Sequence, residues 1–173
     1  MDPAEYLAIV PLLIYGIGIT ELLGQWKRFF NKEGRFPLYI IYTIILTEVA
    51  VYNVVIYIDL VNVIPQQSYF TYLLNLLPPI LFLMVVNIFT PDEGSQTEEY
   101  FNKNIRLIFV LIALFAASHF LYEFDEQQGQ TYFRIVFMVL LMAIAIFKKQ
   151  WLMYLVAVLW VASLVNKGGM LVS

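Results

Sequence analysis

The sequence predicts an all-α integral membrane protein, a bundle of six transmembrane helices with both termini on the non-cytoplasmic side. Composition comes first. The 173 residues are 61% hydrophobic and 13% charged, with a mean hydropathy of +0.77, whereas a soluble domain is roughly half apolar and about a quarter charged. Second, six apolar segments can be marked, at residues 6–23, 37–64, 69–90, 105–122, 132–147 and 151–166. Third, Lys27, Arg28, Lys32, Arg35, Lys103, Arg106, Lys148 and Lys149 all fall in odd-numbered loops, against Arg134 and Lys167 on the other side. The positive-inside rule then places the odd loops in the cytoplasm. Unpaired backbone cannot cross lipid and no barrel-like alternation is present, so each segment reads as a helix of one transmembrane domain.

The opening residues carry Asp2 and Glu5 where a signal peptide needs basic side chains, so segment 6–23 is expected to be a retained span. Within it Gly16, Thr20 and Gly24 recur every four residues, a spacing that lets a second helix approach closely; Ala113 and Ala117 repeat it in the fourth segment. Gly16-Ile17-Gly18 is no phosphate loop, because no strand precedes it. Glu21, near the cytoplasmic end, is expected to pair with Lys27 or Arg28.

The second segment is the most informative. It holds Glu48, Asn53 and Asp59 inside a run far longer than the ~20 residues a span needs. Glu48 lies ~16 Å along the helix from Pro37, near the bilayer midplane. A carboxylate there is disfavoured by ~2.5–3.5 kcal/mol on insertion scales, so it is expected to face protein or trapped water. Glu48, Tyr52 and Asp59 share one helical face.

Pro78 and Pro79 interrupt the third segment and deprive the Leu74 and Asn75 carbonyls of their usual donors. Asp59, Asn75 and His119 all fall in the outer half of the expected bundle. Two readings stand there: a polar pocket for water, a proton or a small cation, or a proline kink with separate interhelical hydrogen bonds. His119 also lies one turn from Glu123, a local pairing that needs no pocket. In the loop 91–104, Ser95 and Glu98 have capping-box spacing. Between the last two segments only Lys148, Lys149 and Gln150 intervene. A continuous helix would run ~50 Å with both lysines at its centre, so a tight hairpin is expected.

The single histidine and the absence of cysteine leave no recognisable metal or haem spacing, and no cofactor is expected. No nucleophile–base motif suggests an enzyme, and no basic–aromatic interleaving suggests nucleic acid. Glu5-Tyr6-Leu7, then Gly16-x-Gly18-x-Thr20-x-Leu22-Leu23 and a basic loop, resembles the opening of a group of small bacterial six-helix membrane proteins. The resemblance covers some 30 residues and implies the threading and a bacterial inner (plasma) membrane, but no activity.

Two functional readings follow. In one, the protein is a homo-oligomeric channel, transporter or ligand-binding protein of the bilayer, using Glu48, Tyr52, Asn53, Asp59, Asn75 and His119. In the other it is a membrane anchor, accessory or regulatory subunit, for example of a bacterial defence system. Its basic loop 24–36 or acidic loop 91–104 would then meet a cytosolic protein partner.

Overall fold

The computed structural model describes residues 3–30, 35–60, 68–121 and 128–171. The chain forms α1 (Pro3–Gly24), α2 (Lys27–Phe30), α3 (Pro37–Leu60), α4 (Tyr69–Asn75), α5 (Leu77–Phe89), α6 (Thr97–Ser118), a 3-10 turn (His119–Leu121), α7 (Gln128–Phe147) and α8 (Gln150–Leu171). No strand occurs among the described residues. With α4 and α5 forming one broken rod, six rods result. Four stretches are long and apolar enough to cross a membrane: Ile9–Phe30, Pro37–Val55, Tyr69–Phe89 and Thr97–Leu121. Thr131–Phe147 and Gln150–Leu164 are shorter apolar helices.

The rods close into a ring. α1 packs on α3 and α5, α5 on α6, α6 on α7, α7 on α8, and α8 returns to α3; α3 also touches α6 across the middle. That cross-contact divides the interior. In the half bounded by α1, α3, α5 and α6, aromatic side chains fill the space. Tyr15 lies between Phe82 and Tyr57, with ring centroids 5.3 and 5.7 Å away, and Phe82 meets Phe115 at 5.5 Å. At the loop-one end, Tyr39 stacks on Phe89 at 4.6 Å, and Phe101 sets its edge against Tyr39, Phe89 and Phe109. Each such pair adds ~0.5–1.5 kcal/mol beyond burial. This cluster closes that end of the bundle.

The prolines act as the sequence requires. α4 ends at Asn75 and α5 begins at Leu77, with Pro78 and Pro79 buried in its first turn. Neither proline can donate to the carbonyls four residues back. The Asn75 carbonyl instead accepts from the Tyr57 hydroxyl of α3. Ser68 caps α4 by accepting from the Thr71 N–H at 3.2 Å. Between α7 and α8, Lys148 adopts φ 52° and both lysines are exposed, so the helix reverses and their charges stay at the surface.

The structure departs from the sequence reading in three places. Lys27 pairs with Glu93 at 3.2 Å rather than with Glu21. Arg28 turns to the loop before α6, donating to the carbonyls of Pro91 at 2.9 Å, Asp92 at 3.0 Å and Ser95 at 3.3 Å, and to Thr97 Oγ1 at 3.4 Å. Its Nε donates to Gln25 Oε1 at 2.8 Å. A guanidinium fork satisfies several turn carbonyls at once, which a single carboxylate on α1 does not offer. Ser95 does not cap α6; its hydroxyl donates to the Asp92 carbonyl at 2.7 Å, closing the turn at Gly94 (φ +84°), and Gln96 is the N-cap without a side-chain bond.

The small-residue stripe is the third departure. A Cβ built on Gly16 or Gly24 would meet nothing within 4 Å, and the Thr20 side chain is exposed and donates to the Gly16 carbonyl at 2.9 Å. The close approach comes at Gly18, where a Cβ would stand 2.7 Å from Phe82 Cε1. Gly18 falls on the face turned to α5, whereas the Gly16–Thr20–Gly24 face looks out of the chain. In the other pair Ala113 is buried in the core and Ala117 is exposed.

Candidate functional site

The other half of the ring, between α3, α6, α7 and α8, is not filled. α7 buries Leu141, Ile144 and Ala145, and α8 buries Leu152, Met153, Val156 and Ala157, all near their shared hairpin. Between Thr131 and Leu140, and between Val158 and Leu164, no described side chain is fully buried. The described burial of the two helices is thus concentrated near their hairpin.

The wedge they leave is a partly open cavity of ≈ 450 Å³. α3 contributes Tyr42, Leu46, Glu48, Val49, Tyr52 and Asn53; α6 and the turn after it contribute Ile112, Phe115, Ala116 and His119. α7 adds Phe133, Arg134, Phe137 and Leu141, and α8 adds Val156, Leu159, Trp160 and Ser163. The lining is mainly apolar and rich in aromatic rings, with a few polar groups at defined depths.

At middle depth, the Trp160 indole N–H donates to Glu48 Oε2 at 3.0 Å. The Phe137 ring lies 5.7 Å from the Trp160 ring. Nearer the wide end, Asn53 joins three helices. Its amide donates to the Val49 carbonyl at 2.8 Å, and its Oδ1 accepts from the Tyr15 hydroxyl at 3.2 Å and faces His119 Nε2 at 2.8 Å. His119 Nδ1 faces the Phe115 carbonyl at 2.9 Å. Both ring nitrogens thus engage protein oxygens, and the imidazole ties the end of α6 to α3 rather than presenting a donor to the cavity. Arg134 reaches the same level from α7, its guanidinium 6.0 Å from the Phe120 ring centroid.

Of the sequence-derived candidates, the structure brings Glu48, Tyr52, Asn53 and His119 to one cavity. Asn75 does not join them: it is buried in the α4–α5 break, beside Tyr57 on the packed side. Asp59 belongs to α3, but its side chain lies outside the described residues, as does Glu123. His119 meets Asn53, a partner the sequence reading did not assign to it. That reading also passed over Trp160 and Arg134. Both had a signal: an indole in the middle of a span needs an acceptor, and an arginine inside one is expected to face the interior.

A second niche of ≈ 380 Å³ lies at the opposite end, lined by Glu21, Gln25, Lys27, Arg28, Asn87, Thr90 and the turn Pro91–Glu93. The Arg28 bonds cross it. Among the described residues no group of three or more His, Asp or Glu is placed to hold a metal ion. No known protein family matches the chain, and no curated protein or solved structure matches it either.

Proposed function

We propose that the protein is a multi-pass membrane protein that takes a small, largely apolar molecule into the cavity between α3, α6, α7 and α8. The observation that carries this reading is the ≈ 450 Å³ wedge itself, apolar and aromatic with Glu48 and Arg134 on its wall. Cavities of ~300–1,000 Å³ with a few placed polar groups are the usual form of a small-molecule site. α7 and α8, with 20 and 22 residues, would run ~30 Å at 1.5 Å per residue, long enough to join the other four stretches across a bilayer. The charge distribution orients the wide end, on the side of both termini, away from the cytoplasm. The Phe101 cluster blocks the other end of the bundle, which favours a binding or alternating-access site over an open pore. The accessory-subunit reading gains no support from the loops it needs, because Lys27 and Arg28 engage the 91–97 segment of their own chain.

The test uses Trp160 as reporter. With Trp26 and Trp151 changed to Phe, a neutral brominated probe such as 1-bromodecane should quench the remaining Trp160 saturably in micelles. Ala116→Phe, which fills the cavity, should abolish the saturable part. A protein retaining only the exposed Trp151 should show linear partition quenching. If Trp160 and Trp151 quench alike, with no effect of Ala116→Phe, the cavity does not take up small molecules.

A further inference from the structure

Resting on the ligand-binding reading, the two ends of the cavity specify the class of molecule and its orientation. We infer that the cavity takes an amphiphile with a hydrocarbon tail, inserted tail first, its terminal methyl against Tyr42 and its polar head at the open end.

Tyr42 makes the floor. It is 2% exposed, and its hydroxyl reaches from α3 to donate to the Met153 carbonyl of α8 at 3.0 Å. Its ring meets the edge of Phe109 on α6, 5.1 Å between centroids. Leu141 of α7 and Val156 of α8 are buried at the same level, each six residues from the hairpin end of its helix. All four helices around the cavity thus contribute to one closed end. Apart from the Tyr42 hydroxyl, turned to Met153, the lining there is hydrocarbon: Ile45, Leu46, Leu141 and Val156.

The other end differs in exposure and in polarity. Tyr52 and Phe133 are each 38% exposed, and Ala162 is exposed beside them. The charged and amide groups of the wall all stand above the floor. Glu48 lies ~9 Å and Asn53 ~16 Å along α3 from Tyr42, and Arg134 lies ~10 Å along α7 from Leu141. Several of these groups bond to the protein itself: Glu48 with Trp160, Asn53 with His119, and the Ser163 hydroxyl with the Trp160 carbonyl at 2.7 Å. A hydrocarbon tail can lie along them without taking a bond from any. Head-first entry would instead carry a polar group to a floor that offers it hydrocarbon, leaving its hydrogen bonds unmade. The match of apolar tip to apolar floor fixes the direction.

The position of a photoreactive group tests this. Two neutral long-chain alcohols carry a diazirine, one near the tail end and one beside the hydroxyl. Each is irradiated with the purified protein in micelles, with and without excess 1-bromodecane, and labelled residues are located by mass spectrometry. The labelling that 1-bromodecane suppresses should fall on residues 42–46, 141 and 152–156 for the tail probe. For the head probe it should fall on 52–53, 133–134 and 162–164, with the floor labelled at least fivefold less. A phosphatidylcholine with the same tail diazirine separates two sources of the tail. Floor labelling by both would support a site open to bilayer lipid, and by the alcohol alone a site for single-tailed amphiphiles. Identical labelling by both alcohols, the reverse pattern, or no suppressible labelling would each overturn the inference, provided 1-bromodecane still quenches Trp160 saturably. Loss of that quenching as well would remove the reading on which it rests.

Discussion

Replacing Gly18 by alanine tests the packed half of the bundle at its tightest point. The added methyl would sit 2.7 Å from Phe82 Cε1 and 3.1 Å from Cδ1, with Val86 Cγ2 at 3.7 Å behind. Ordinary contact is ~3.5–4.0 Å, so the ring must retreat by roughly 1 Å. It has little room: Phe82 is 0% exposed and is flanked by Tyr15 at 5.3 Å and Phe115 at 5.5 Å. Overpacking of this kind costs ~1–3 kcal/mol, while alanine for glycine inside a helix returns ~0.5–1 kcal/mol. A net destabilisation of about 1–2 kcal/mol is expected. Gly16→Ala, where nothing lies within 4 Å, should show only the helix gain of ~0.5–1 kcal/mol. The two variants should thus differ by ~2 kcal/mol, roughly a thirtyfold change in the folding equilibrium. Reversible unfolding in mixed micelles, followed by tryptophan fluorescence, measures this directly. Gly18→Ala as stable as Gly16→Ala would refute the close α1–α5 contact at Gly18.

Further expectations concern the loops and the Asn53 network. Arg28→Lys should lower stability by about 1–3 kcal/mol in the same assay, because an ammonium cannot reproduce a fork that bonds Gln25, Pro91 and Asp92 together. Lys27→Ala should change it by under ~1 kcal/mol, since the Lys27–Glu93 pair is exposed, at 66% and 92%. Asn53→Leu should cost about 2–4 kcal/mol, for it takes one buried hydrogen-bond partner from Tyr15 and one from His119; a cost below ~1 kcal/mol would mean the network does not hold α3 to α6. The chain has no cysteine, so single cysteines at Asp2 and at Lys32 can report threading. With both termini outside, an impermeant thiol reagent on intact cells should label the first and spare the second, and the opposite pattern would invert the bundle.

The helices were legible because long apolar runs obey crude local rules. Apolar length marked the helices, four of them long enough to cross a membrane, Lys148 and Lys149 marked the reversal between α7 and α8, and Pro78–Pro79 marked the break before α5. Each rests on a local penalty: a buried lysine or a missing N–H is unfavourable whatever lies next to it. Side-chain partnership is a different matter. Gly16, Thr20 and Gly24 obey the packing spacing, yet which face of α1 meets α5 depends on the rotation of both helices, and that rotation puts Gly18 against Phe82. The same holds for His119. Its depth could be counted along the chain, but pairing with Asn53 follows from α3 lying against α6, which no local pattern encodes.

The cavity could not be read from the sequence for a further reason: it is a shortage of volume, and a shortage has no motif. Across the packed half, α1 and α5 send Tyr15 and Phe82 inward to meet Tyr57 and Phe115. Across the other half, the residues lining the cavity include Ala116, Val156, Ala162 and Ser163, side chains too short to fill it. α7 and α8 are joined by a tight reversal, and the described side chains they bury lie mainly beside it. Large aromatic residues at those lining positions would have filled the space. A close-packed interior leaves few voids larger than water, so a wedge of ≈ 450 Å³ stands out beside an aromatic core packed this tightly. Glu48 stands in that region with its carboxylate accepting from the indole of Trp160, where an apolar residue would fill the bundle with no charge to stabilise, and this placement is what the binding proposal is argued from.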